Sequence, residues 1–299
     1  MKPLTVLCNS QSWDLIHETS FFVEVILGGL NRPVHYEIFE PGTKLNIPDD
    51  ILVVNHCNSL VPLIQAAVSG GLKNIGVVAW CHSFEEDRSY YSSVDYVLRP
   101  FFKPAMMIPE GRCKEIAWFT VGYRSGVGPR NRNLLNGFRD RPHEFLYAGF
   151  PGTNYDERTQ MLAAVDAWKI PAKLKLSGSF SSGVGIHCYR SLLENAKFSL
   201  CPAGADDESM RLIESLELGA IPISLNHPFI GGGGPMGDCP LIRLNDWQEL
   251  GEWYRTADMS VMEVRHRQIG AWWADFKVSE GKKVAAVIER AFEGCGHER

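Results

Sequence analysis

Between Phe198 and Pro222 the chain reads FSLCPAGADDESMRLIESLELGAIP, and the side chains there that could do chemistry are spaced as on a helix. Arg211 and Glu214 lie three residues apart, so on a helix they share nearly one face. An arginine in the first turn can clamp phosphate oxygens through a forked pair of hydrogen bonds, and a carboxylate at Glu214 can accept from both hydroxyls of a ribose. Ahead of them PAGADDE is a small-residue turn, in which Gly204 allows close backbone approach and Ser209 is a candidate N-cap. A strand, such a turn and a helix start together present backbone N–H groups and the positive end of a dipole, which is a seat for a diphosphate. The plain alternative is a solvated salt bridge between Arg211 and Glu214.

The elements that must position these residues alternate along the chain. Leu4–Cys8, Val34–Phe39, Ile51–Asn55 and Ile75–Trp80 are short apolar runs that read as buried parallel strands, with helices expected over Glu18–Leu30 and Leu60–Ser69. A second series starts at Phe145–Phe150 and continues through a helix at Tyr155–Trp168 and strands at Lys173–Ser177, Phe198–Cys201 and Ala220–Leu225. Between the series, GYRSGVGPRNRNLLNGFRDRP at Gly122–Pro142 has the composition of a linker. The pattern predicts an α/β protein of two Rossmann-like domains facing each other across a cleft. At 299 residues, 45% hydrophobic and 22% charged, the chain is long enough for two cores, and its net charge of -5 argues against nucleic acid as a main partner. Eight cysteines without a C-x-x-C pair read as reduced thiols of a cytoplasmic protein. The N-terminal segment lacks the apolar core of a signal peptide and no run reaches the roughly 20 apolar residues of a membrane span, so any membrane contact is expected to be peripheral.

From Tyr189 to Ile223 the chain resembles the exostosin-type glycosyltransferases, whose donor half carries C-P, a Gly, S-x-R-x-x-E and G-x-x-P, here Cys201, Pro202, Gly204, Ser209, Arg211, Glu214, Gly219 and Pro222. Weaker similarity extends to VLRPFF, VGYRSG and FLYAGF. The resemblance implies a GT-B fold. It divides the chain into an acceptor domain over 1–125, a linker over 126–142, a nucleotide-sugar donor domain over 143–270 and C-terminal helices over 271–299 that pack back on the first domain. It also implies inverting sugar transfer from a nucleotide-sugar to a glycan or lipid-linked glycan, in surface polysaccharide or lipopolysaccharide synthesis. No metal or other cofactor is expected, since Arg211, the helix start and Arg124 would meet the leaving charge, and Asp206-Asp207 reads as a solvated turn. Arg124 is equally readable as a linker residue.

An inverting transfer needs a base on the acceptor side. His82 and Glu85, after IGVVAW, are the first candidates, with His56 and Glu18 as rivals; each could equally be a capping or solvated loop group. His227, at the end of a strand, is placed to touch the donor. GGGGPMG at Gly231–Gly237 lacks the following helix of a dinucleotide fingerprint and reads as a flexible loop over the donor. Trp272-Trp273 in the basic C-terminal segment is read as a helix packing its tryptophans across the domain junction, with an anionic membrane surface as the alternative. Two other function classes remain open at this level, a nucleotide-sugar epimerase or hydrolase of the same architecture and a non-catalytic glycan-binding protein. Donor, acceptor, linkage and oligomeric state have no local signature.

Overall fold

The computed structural model describes residues 3–9, 20–39, 50–56, 59–72, 74–81, 87–179 and 182–293. The chain forms two units, Met1–Val121 with Lys277–Arg299, and Gly122–Phe276. In the first, six parallel strands, β1 (Leu4–Asn9), β2 (Val34–Phe39), β3 (Ile51–His56), β4 (Ile75–Trp80), β5 (Tyr96–Arg99) and β6 (Glu115–Trp118), lie in the order β2-β1-β3-β4-β5-β6. ILVVN and IGVVAW are apolar at nearly every position because both faces of a parallel sheet are covered, and β3 and β4 are buried almost throughout. Helix α1 (Val61–Ser69) follows β3. The VLR of VLRPFF is strand β5 of this sheet.

The helix expected over Glu18–Leu30 is, in its described part, a wide π-type turn at Phe22–Ile26 and a tight 3-10 turn at Leu27–Gly29. Two valines, two isoleucine or leucine neighbours and a Gly-Gly pair hold a regular helix weakly, and packing decides instead. Gly29 backs onto Gly281, where an added methyl would come within 3.3 Å of the backbone, and one on Gly281 would come within 2.7 Å of the Val25 carbonyl oxygen.

The second unit has five parallel strands, β7 (His143–Gly149), β8 (Ala172–Leu176), β9 (Ala196–Leu200), β10 (Ile221–Leu225) and β11 (Ile242–Leu244), in the order β11-β10-β9-β7-β8. The chain goes from β7 outward to β8, then returns to the other side of β7 for β9. The order therefore reverses between β7 and β9, and in open α/β sheets ligands bind at the carboxyl ends of strands where this happens. Helices α2 (Tyr155–Ala167), α3 (Ile186–Glu194), α4 (Met210–Leu218) and α5 (Glu249–Thr256) complete the layers.

The stretch Gly122–Pro142 belongs to this unit and is fastened to it. Arg141, fully buried, donates to the carbonyls of Leu193, Ala196, Leu218 and Asn136, so one cation meets the orphan carbonyls at the ends of both α3 and α4. The last helix, α6 (Met259–Glu293), is a single run of 35 residues. Trp273 on it is buried and donates to the buried Glu217 carboxylate at 2.6 Å, while Trp272 stacks on Phe276 at 4.8 Å. No helix among the described residues is long and apolar enough to cross a membrane.

Candidate functional site

At the switch point of the second sheet, β9 runs into Cys201-Pro202-Ala203-Gly204, and α4 begins at Met210 with Ser209 in the N-cap position. Ser209 is extended, as an N-cap must be, but its hydroxyl makes no capping bond. A methyl added to Gly204 would fit in ordinary contact, 3.7 Å from the Asp206 carbonyl oxygen, 3.8 Å from Arg158 Nη2 and 4.0 Å from the Ser209 Cβ.

Arg211, in the first turn of α4, does not pair with Glu214. Its Nε and Nη2 donate to the Ala148 carbonyl at the end of β7, at 3.2 and 2.9 Å, and its guanidinium lies over the Tyr147 ring at 4.6 Å. Gly149 is the residue that lets it pass, since a Cβ there would fall 2.3 Å from Arg211 Nη2. Arg158, on α2, approaches from the other side. It is buried, donating to the carbonyls of Ala203 and Phe150, and burial followed by the Arg211 charge lowers its pKa. Two guanidinium groups are thus held near one another between the ends of β7 and β9, beside the start of α4, and this arrangement attracts an anion.

Glu214 is only 1% exposed, so the solvated ion pair allowed by the spacing does not form. Its carboxylate accepts from Arg124 Nε at 2.8 Å and from the Tyr189 hydroxyl at 2.7 Å. Burial, then the adjacent carboxylate, pushes the Tyr189 phenol well up, so it remains a donor. Arg124, whose side chain is 39% exposed, also lies over the Tyr189 ring at 5.0 Å. The sequence candidates Arg124 and Glu214 are therefore brought together, while Arg211 goes to β7.

His227, just after β10, stands between two carboxylates: Glu157 Oε2 is 3.6 Å from Nε2 and Asp207 Oδ1 is 3.8 Å from Nδ1. Glu157, in the first turn of α2, also accepts from the Ala203 backbone N–H at 3.1 Å and from Trp247 Nε1 at 3.2 Å. Burial alone would raise its pKa, but the nearby His227 ring and the hydrogen bonds from Ala203 N–H and Trp247 Nε1 outweigh this and lower it. Asp206 is buried, which corrects its reading as part of a solvated turn; the backbone of the loop folds over it, with Gly204 N–H donating to the Asp206 carbonyl at 2.9 Å. The Gly231–Gly237 loop, expected to be flexible, is tied from within: Arg243 donates to the carbonyls of Ile230, Gly237 and Cys239, and Phe229 and Met236 are buried.

In the first unit the strand order reverses between β1 and β3, and His56 is the last residue of β3. Its neighbour Asn55 is buried, accepting from Leu60 N–H and donating to the Tyr90 hydroxyl, which fixes the turn after the strand. His82, Glu85 and Glu18 lie outside the described residues. Among the described residues no three His, Cys, Asp or Glu side chains converge to hold a metal ion.

Sequence reasoning missed Arg158, Glu157, Tyr147 and Tyr189. The first two sit in a helix start where acidic and basic residues are ordinary, and only the fold brings them to β9.

The architecture can be compared with known proteins. The chain is similar to the DNA-modifying enzyme β-glucosyltransferase, at 10% identity with a TM-score of 0.57, covering 98% of this chain and 100% of that one. It is similar to sucrose-phosphate synthase from Thermosynechococcus elongatus, at 9% identity and a TM-score of 0.54, with 98% and 99% covered. The pneumococcal O-GlcNAc transferase GtfA, solved with UDP and GlcNAc, gives 11% identity and a TM-score of 0.51 over 85% of this chain, which spans 58% of that longer one. The fold is thus α/β of the GT-B glycosyltransferase type, with two parallel sheets. Residues 181–293, which include α4 and most of the candidate site, match the family model of the RXYLT1 C-terminal domain. No curated protein matches the chain by sequence.

Proposed function

We propose that the chain is a glycosyltransferase of the exostosin type, moving a sugar from a nucleotide-sugar to a glycan acceptor with inversion and without a metal, in the synthesis of a surface polysaccharide or lipopolysaccharide. The observation that carries this is the pair Arg158 and Arg211 between the ends of β7 and β9, beside Gly204 and the start of α4. A donor diphosphate seated there meets two fixed cations and the positive end of a helix, and the same charges stabilise the diphosphate as it leaves. With Nε and Nη2 taken by the Ala148 carbonyl, Arg211 Nη1, with no partner among the described residues, is the nitrogen left to donate to it. The match to the RXYLT1 C-terminal domain and the GT-B fold support the reading.

Glu214 would serve the ribose by exchanging Arg124, its exposed partner, for the sugar hydroxyls, while the buried Tyr189 stays. The base is assigned to the first unit among His82, Glu85, His56 and Glu18. Among them His56 ends β3, one of the two strands at the reversal of the first sheet. Single substitutions at the four positions rank them by loss of turnover at unchanged donor affinity.

The test of the function is a thermal-shift series with UDP, GDP and their sugars on the parent chain and on Arg211→Gln. A ligand at a hundred times its Kd stabilises by about 2.7 kcal/mol, so one nucleotide should raise the parent's midpoint by several degrees and the variant's by much less. No shift of the parent with any nucleotide refutes the reading.

A further inference from the structure

Glu157 sits three residues beyond Asn154, whose side chain accepts the Glu157 backbone N–H at 3.4 Å as the N-cap of α2. In the usual capping arrangement a glutamate at this position turns back to the cap residue's own N–H. Here its carboxylate makes distant contacts instead, to Ala203 N–H, Trp247 Nε1 and the His227 ring. The next residue, Arg158, takes the Ala203 carbonyl at 3.0 Å. Two consecutive side chains of α2 thus hold both polar groups of one residue, immediately before Gly204. With a hydrogen bond on each side, Ala203 fixes the direction in which the Gly204 backbone leaves β9.

We propose that Glu157 is a positioning residue: it sets the loop from Ala203 to Gly204 for the donor diphosphate and holds His227 beside it. The inference rests on the donor-site reading above. It predicts that Glu157 governs the part of affinity that comes from the phosphates and leaves the part that comes from the nucleoside.

The experiment measures, on the full chain, the affinities for UDP against uridine and for GDP against guanosine by calorimetry or competition. The variants are Glu157→Gln, His227→Gln and Asn154→Ala. In Glu157→Gln, which keeps an Oε1 acceptor for Ala203 N–H and Trp247 Nε1 but loses the charge, the diphosphate-to-nucleoside affinity ratio should fall by about tenfold, the size of weakening a charge-assisted hydrogen bond to a neutral one. It should fall by a smaller factor in His227→Gln. Asn154→Ala removes the local cap alone and should lower the melting midpoint with the ratio unchanged. An unchanged ratio in Glu157→Gln overturns the inference. If that variant does not fold, an unchanged ratio in His227→Gln overturns it. A parent that binds neither diphosphate refutes the donor-site reading and the inference with it, whereas a parent that binds while the variants keep its ratio refutes the inference alone.

Discussion

Replacing Tyr189 by Phe removes one oxygen and nothing else from the buried end of the candidate site. The ring remains under the Arg124 guanidinium, and no cavity larger than a hydroxyl is left. What is lost is the 2.7 Å bond to Glu214, a carboxylate 1% exposed. A hydrogen bond to a charged group contributes about 1.5 to 3 kcal/mol, and both partners are buried, so water cannot replace the missing donor. For a unit of roughly 150 residues each kcal/mol corresponds to about 2 to 4 °C in midpoint. Tyr189→Phe should therefore lower the midpoint of the second unit by about 3 to 12 °C. Urea unfolding should show the same loss as a shift in midpoint at unchanged slope. A variant that melts within about 1 °C of the parent would refute the claim that Glu214 is a buried charge held by Tyr189.

Burial, with Arg141 and Arg132 nearby, lowers the His266 pKa to about 4. The unfolded chain takes up that proton near 6.5, so between these values the unfolded state binds more protons and stability falls with falling pH; denaturation across pH 4 to 7 should show a shallower decline in His266→Gln, and identical profiles would count against it. Sugar transfer should persist in excess EDTA; loss of activity restored by manganese would show that Asp206 and Asp207 serve a metal. Gly219 has a φ of 78°, and a Cβ there would lie 2.6 Å from Arg141 Nη2, so Gly219→Ala should cost about 1 kcal/mol or more in chemical denaturation, and a neutral result would remove Arg141 from its role at the end of α4.

The local elements were legible because their signals are local. ILVVN and IGVVAW are strands because β-branched apolar runs fit a doubly covered parallel sheet, FSL closes β9, and α4 starts after Ser209 and stops at Gly219 where the turn residues say it should. The types at Gly204, Arg211 and Glu214 suit phosphate and ribose, which is what the proposed function asks of them. The partners were not visible. Spacing put Arg211 and Glu214 on one helix face, yet Arg211 reaches the end of β7, 63 residues away, and Glu214 takes Arg124, 90 residues away. Likewise Glu157 reads as an ordinary first-turn acid, and only the return of the chain from β8 across β7 sets it against the loop after β9. The sequence by itself determined most of the segments that become strands and helices, because backbone propensity and apolar patterning act over a few residues. The tertiary structure alone decided which charges meet and which are buried, because an ion pair depends on distance and solvent access, and both are set by strand order.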